Sequence, residues 1–470
     1  QDQSDTIASV KSLLVNIDGI ANLQNKIHLH TIALESGVVK ISKDAEKGEM
    51  NLKFIIDYFK SDKPKKKKSM LFQVDNIYLS DVRFHYDNYL SAPKEEGMDY
   101  QHLLLKNISL DAEDIRMDNG VITASVGKLS AFEQCGFQLD AFKAELKVSN
   151  KGVDLKKITI KTPASDIQSN RFQLKYTSYT QFKSFVDSVA FDADLQKSSV
   201  SFADIAVFAP QLSGMDQQVE VEGKFSKFVK NLKVEDFILK TGNKTELRGT
   251  INLPDFRELS NAFYQERINY AYVDLKDIQS IKLPKSSSKR KISLDPTLNR
   301  LGFFEAQDIR LDGIYSQFVL SSDEIKTAIG SVNMDNGILF THNDANNSFL
   351  FSHSQASAYD VKINQFNLGK FLDNSVVGIV DGTFFLSGEA FSFSDIEFNK
   401  IEGDVNRFDL ADYSYSGISV KNATFAKKIL YAEVDVEDRN LLLDYSGTID
   451  LNGAPKMDMT IGLQKALLGK

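Results

Sequence analysis

Stretch after stretch of this chain alternates apolar and polar side chains. That period of two constrains the fold more than any other feature. Phe142, Ala144, Leu146 and Val148 are interleaved with Lys143, Glu145, Lys147 and Ser149. Phe172, Leu174 and Tyr176 alternate with Arg171, Gln173, Lys175 and Thr177. Leu430, Ala432, Val434 and Val436 alternate with Tyr431, Glu433, Asp435 and Glu437. The pairs Ile158/Ile160 and Ile449/Leu451 keep the same spacing. Each stretch puts its apolar set on one face of a sheet and its polar set on the other. The chain therefore reads as mainly β, with many strands sharing one greasy face, and its function turns on what covers that face.

At 470 residues the chain predicts several units or one elongated repetitive unit. A hydrophobic share of 42% with 26% charged residues is that of a folded chain, not a disordered one. Eight prolines are few, as long paired strands require. The net charge of -8 argues against a nucleic-acid partner, which calls for a basic face. A single cysteine, Cys135, excludes an intrachain disulfide and reads as a small half-buried side chain. No run of about 18 apolar residues is present to span a membrane, and the opening Gln1-Asp2-Gln3-Ser4-Asp5 is no signal peptide. A start without Met reads as a fragment or a processed chain whose anchor lies elsewhere.

Along the chain, Thr6 to Val15 fits neither periodicity clearly. Asp18 to Gln24 reads as a short helix or turn, and Lys26 to Ile41 as two strands around Ser36-Gly37. Asn51 to Tyr58 reads as a short helix. The run Lys63-Pro64-Lys65-Lys66-Lys67-Lys68 reads as a solvated loop, with a patch for anionic lipid or nucleic acid as the alternative. From Leu71 strands follow at intervals of about 8 to 12 residues. Short helices are expected at Ser201 to Pro210, Pro254 to Phe263 and Asp295 to Gly302, the last with Asp as cap, Pro at the first position and Gly beyond its end. Residues 282–291, rich in Lys and Ser, have a linker's composition. The expected organisation is thus 1–60, a first β segment over 61–281, the linker, and a second β segment over 292–470. Gly249-Thr250-Ile251, Gly382-Thr383-Phe384 and Gly447-Thr448-Ile449 recur as a unit expected to close strands, as in a stacked, solenoid-like sheet.

Signatures of chemistry are missing. His28 and His30 share a face of one strand, but no Cys or acidic cluster of matching spacing accompanies them, so no metal site is expected. Glu433, Asp435 and Glu437 form the polar face of a strand without a calcium-loop pattern. There is no phosphate loop, nucleophile elbow or dinucleotide fingerprint. Neither an enzyme nor a cofactor is expected. From periodicity alone the greasy face can close in a sandwich, close in a barrel or line an open groove that lipid or a partner must cover.

Taken whole, the chain resembles the AsmA-like superfamily, TamB-type, in a Bacteroidetes-like form. The resemblance is carried by Asn51-Leu52-Lys53-Phe54-Ile55-Ile56-Asp57-Tyr58-Phe59 with the Lys loop, by Val200 to Leu212, by Asn231-Leu232 through Gly249-Thr250-Ile251-Asn252-Leu253, and by Asn364 to Gly369 through Gly382-Thr383 to Asp450. It implies an elongated, curled β-sheet groove (a β-taco) with a few short helices. It also implies a periplasmic location, an inner-membrane anchor, and docking to an outer-membrane Omp85-type barrel through regions outside this chain. The implied activity is physical: phospholipid acyl chains lie along the groove and move by diffusion. Strands of roughly nine residues would give about 30 rungs, spanning on the order of 150 Å at ~4.8 Å each. The candidate groove-lining residues are Leu146, Val148, Ile158, Ile160, Phe172, Leu174, Tyr176, Val434, Val436, Ile449 and Leu451, some of which are expected to pack under the helices. The alternative is a scaffold for outer-membrane protein insertion that pairs its sheet edge with client strands.

Overall fold

The structure is a computed structural model. It describes residues 7–17, 26–46, 48–53, 71–253, 255, 263–285, 287, 291–294, 296–343, 345, 348–353, 361–392, 395–452 and 456–467. About 70% of the chain is strand and about 10% helix, so it is mainly β. The expected turn or helix at Asp18 to Gln24, most of Asn51 to Tyr58, the Lys loop, nearly all of the helix expected at Pro254 to Phe263, and Asp295 lie outside the described residues. Two compact units are present: residues 1–232 with 282–290, and 233–281 with 291–470. The segment with a linker's composition thus joins the first unit, where the Lys285 amide donates to Ser213 O at 2.7 Å.

The first unit is a ladder of β1 (Ala8–Ile17), β2 (Lys26–Lys43), β3 (Leu71–Asn88), β4 (His102–Asp118), β5 (Val121–Glu133), β6 (Gln138–Ser149), β7 (Gly152–Lys161), β8 (Asp166–Lys175), β9 (Ala190–Ser201) and β10 (Gln218–Phe228). Consecutive strands pair antiparallel, except that β2 and β3 run parallel. The second unit runs from β11 (Lys233–Thr241) to β25 (Lys456–Ala466) and is antiparallel throughout its described pairings. The residues Thr6 to Val15, which follow neither period, include most of β1.

Several strands are much longer than the sequence intervals imply, because breaks in alternation are bulges and not strand ends. In β4, Asn107 and Asp114 both sit at φ 53°, a left-handed conformation that Asn and Asp adopt more readily than most residues. Each inserts one extra residue and resets the phase. Leu103 and Leu105 precede the first bulge, Ile108, Leu110 and Ala112 lie between the two, and Ile115 and Met117 follow. All seven pair with apolar residues of β3. Ser36, at φ 49°, takes the same left-handed conformation within β2, and the pairing with β1 passes it without a register shift, so Lys26 to Ile41 is part of one strand and not two. Asp236 and Gln365 repeat the β4 bulge in the second unit, where the register shifts between Val234 and Phe237 and between Ile363 and Phe366.

Bulges free backbone carbonyls, and each buried serine hydroxyl lies within hydrogen-bond reach of two of them, its single proton serving one or the other. Ser169 Oγ lies 2.9 and 2.8 Å from Arg171 O and Asp194 O. Ser198 Oγ reaches Gln168 O and Gln196 O, and Ser322 Oγ reaches Gln307 O and Glu324 O. Register shifts fall on both sides of Ser169 and of Ser322. Ser322→Ala should lower stability by about 1–2 kcal/mol, the cost of leaving buried acceptors without a donor. A urea midpoint shift at unchanged m-value is the readout, and an unchanged midpoint would show that those carbonyls have other donors.

The Gly-Thr pattern closes its strand at Gly249 and Gly447, whereas at Gly382 it lies in a strand's interior. Gly249 is in β12 (Thr245–Asn252), Gly382 in β19 (Val377–Ser392) and Gly447 in β24 (Leu441–Asp450). A Cβ on Gly249 would meet Arg267 O at 2.2 Å, and one on Gly447 would meet Asp458 O at 2.4 Å. The pattern therefore marks close approach of a neighbouring backbone. The helix expected after Val200 spans Phe202–Phe208, with the Ser201 hydroxyl accepting from the Ala203 amide. That at Asp295 to Gly302 contains Pro296–Asn299, with Gly302 at φ 71° beyond it.

Candidate functional site: the apolar face of the sheet

Bulge-corrected register aligns the apolar residues of the first unit into rows that cross the strands. Leu34, Leu79, Leu110, Leu129, Phe142 and Ile160 are successive directly opposed partners on β2 through β7. Phe72, Met117, Ile122, Val148, Val153 and Leu174 form a second row on β3 through β8. Leu146, Leu155, Phe172 and Ala193 form a third on β6 through β9. Opposed side chains stand about 5 Å apart and touch, so each row is a continuous apolar strip. Six strands at ~4.8 Å give a strip of roughly 24 Å, close to the ~30 Å hydrocarbon thickness of a bilayer.

The rows differ in depth. Ala112, Ala144, Ile158 and Ser169 are buried to within 4–6% exposure and lie where register shifts recur along successive ladders. Bulges bend the strands that carry them, and small side chains permit the bend. Away from this line, Leu146, Val148, Ile160, Phe172 and Leu174 are only half-buried, and Met117 and Ile122 are each 40% exposed. Among the described residues the first unit holds no cluster of mutually packed buried apolar side chains; both such clusters belong to the second unit.

Two of the residues expected to line a groove are buried. Ile158 is 4% exposed, and Tyr176, 5% exposed, follows β8 and donates its hydroxyl to Ser149 O at 2.8 Å. Tyr176 packs against Tyr179 and Phe182 of the 3-10 helix Tyr179–Ser184. In the second unit, Val434 and Val436 on β23 (Ile429–Glu437) pack against a buried cluster of Phe384, Val405 and Ile418. Ile449 pairs with Leu430 and with Met457 and is half-buried, while Leu451 lies past β24 and is 42% exposed. The same alternating pattern therefore serves a packed core around β23 and a half-open face in the first unit.

The chain was compared with protein-family models, curated proteins and solved structures, and none matches. Among the described residues no helix is long and apolar enough to cross a membrane, which leaves strand-built spans unaddressed.

Polar groups elsewhere hold loops. A cleft of about 800 Å³ in the first unit is lined in part by Asp99, His102, Glu133, Cys135 and Lys285. Its buried carboxylates are occupied: Glu133 accepts from the Leu104 and Cys135 amides, and Asp99 from the Lys94 and Gln101 amides. Cys135 is exposed and not half-buried as expected, and partial desolvation with the neighbouring Glu133 pushes its thiol up, the opposite of what a nucleophile needs. In the acidic row of β23, Asp435 pairs with Lys421 and Glu433 accepts from the Tyr431 hydroxyl.

Buried carboxylates recur as loop clamps. Asp438 accepts from the Ser416 and Asn440 amides and from the Tyr413 hydroxyl. Asp277, in the first turn of the helix Leu275–Ser280, accepts from the amides of Asn243, Lys244 and Thr245 and from the Thr245 hydroxyl, all at 2.9–3.0 Å. These clamps were not legible in the sequence, because apart from Asn440, two residues from Asp438, their partners lie far away in the chain.

Proposed function

We propose that this chain is a periplasmic β-groove segment of an AsmA-like, TamB-type envelope protein. It binds phospholipid by its acyl chains and conducts it between the inner and outer membranes with no covalent step. The observation that carries this reading is the set of half-open apolar rows across β2–β9, which reach 40% exposure at Met117 and Ile122. Covering a row with an acyl chain removes a cost of about 0.8 kcal/mol per CH2 exposed to water. The continuity of each row from strand to strand gives the chain a path with no polar barrier to cross. Anchoring to the inner membrane and docking to an Omp85-type barrel belong to regions outside this chain.

Purification without detergent, followed by lipid extraction and mass spectrometry, tests the reading. Stoichiometric co-purifying phospholipid is the expected result. A monodisperse, lipid-free protein would mean that the rows are closed against one another as core, and would favour the scaffold reading. That second reading draws on β1 and β25, each of which pairs with one neighbour only among the described residues. On β25, Met457, Ile461 and Leu463 are each more than half exposed, so an unsatisfied edge lies beside an apolar surface able to accept a client strand.

A further inference from the structure

The parallel pairing of β2 with β3 assembles a group of metal-binding side chains that sequence spacing does not show. His28 and His30 lie on one face of β2, the face opposite Leu29. In the parallel register Leu29 pairs with Val74 and Thr31 with Asn76, which sets Asp75 beside His30. The Asp75 carboxylate is shared between the two imidazoles: Oδ1 is 2.8 Å from His28 Nε2, and Oδ2 is 2.8 Å from His30 Nδ1. The rings are 5.1 Å apart. Gln73 Nε2 donates to Asp75 Oδ1 at 3.1 Å, the outer hydrogen bond that fixes a ligating carboxylate. Asp75 and His30 are 32% and 43% exposed, so an ion reaches the group from solvent.

We propose that His28, His30 and Asp75 form a binding site for a borderline divalent transition ion of the zinc class. Each residue offers one ligand atom, and the atoms lie within 4.8 Å of one another. Tetrahedral zinc with bonds of about 2.05 Å separates its ligand atoms by about 3.4 Å, so the 2.8 Å contacts open by about 0.6 Å while ligand atoms as far apart as 4.8 Å draw together by up to about 1.4 Å, a rearrangement within reach of side-chain rotation. The ion replaces the hydrogen bonds between carboxylate and imidazoles, each neutral imidazole carrying its proton on the ring nitrogen that faces away from the ion. Two imidazoles and one carboxylate select zinc, nickel or copper over calcium or magnesium, which require more oxygen ligands. Among the described residues three protein ligands are supplied, and the fourth position of a tetrahedral ion falls to water or to a further group. The site lies on the face opposite Val74, away from the apolar rows, so its role is to staple the parallel junction and not to contact acyl chains. The inference does not rest on the lipid reading.

The test is a Zn2+ titration of the full, tag-free chain against a chromophoric chelator, together with the Asp75→Asn and His30→Gln variants. Circular dichroism serves as the folding control. One equivalent bound at micromolar affinity or tighter, weakened at least 30-fold in both folded variants, is the expected result. Co2+ in place of Zn2+ should give the intense visible absorption of a four-coordinate ion, lost in both variants. Absence of binding by the wild-type chain, or equal binding by folded variants, would overturn the proposal and leave a hydrogen-bonded cluster only. If a variant fails to fold, the Co2+ spectrum of the wild type decides: a six-coordinate spectrum or none refutes the site.

Discussion

Leu174→Asp is expected to strip phospholipid from the detergent-free protein by at least tenfold while leaving the fold standing. Leu174 lies between Val153 and Phe191 in an apolar row and is half-buried. A carboxylate there keeps part of its hydration in the empty protein. Laying an acyl chain over it would require desolvating a charge with no partner, which costs several kcal/mol. The expected loss of folding stability is about 1–2 kcal/mol, within the range of ordinary single substitutions. Val434→Asp provides the contrast. Val434 packs against the cluster of Phe384, Val405 and Ile418, so the same change there should cost about 3 kcal/mol or more. Lipid content by mass spectrometry and urea midpoints on both variants separate the effects. If Leu174→Asp unfolds the protein as Val434→Asp does, with lipid tracking the folded fraction, the rows of the first unit are core and the lipid reading fails.

Asp277→Ala is expected to destabilise the second unit by about 3–5 kcal/mol, because the amides of Asn243, Lys244 and Thr245 lose one charged acceptor together. Asp277 is 4% exposed, and its side chain fills the space that a Cβ on Gly242 would need, so water cannot readily replace it. Burial alone would raise its pKa, but the three amides and the Thr245 hydroxyl outweigh burial and hold it below the usual carboxylate range. The folded-state pKa is therefore depressed. Its contribution is fully present above the unfolded value of about 4 and is lost as pH falls through the folded value. Wild-type stability should fall across that acid window with a component that Asp277→Asn lacks. A variant within 1 kcal/mol of wild type, or a wild-type acid profile identical to that of Asp277→Asn, would show that the amides are satisfied otherwise.

The alternation at Phe142 to Val148, Phe172 to Leu174 and Leu430 to Val436 was readable because it depends only on neighbours two apart in one strand. The helix after Val200 and the one at Pro296 were readable because caps and proline act within a turn. Strand length was misread at Ser36-Gly37 because a left-handed residue within a strand and a turn share the same local residues, and only the partner strand decides which forms. The Gly-Thr pattern was visible, but its reason, a backbone pressed against Gly249 and Gly447, lies one strand away.

The sequence alone thus determined that this chain is a mainly β protein with one apolar face, since the period of two is written in side-chain order. The tertiary structure decided which parts of that face pack against a buried cluster and which do not. Val434 and Leu174 are both half-buried and sit in equivalent patterns, but only Val434 has a buried cluster against it. Register decided the rest. The parallel pairing of β2 with β3 brings Asp75 to His28 and His30 across more than forty residues of chain, and the hairpin loops bring three amides to Asp277. Such contacts are fixed by how strands align, and alignment is set by the summed packing of whole rows, which no short stretch of sequence contains.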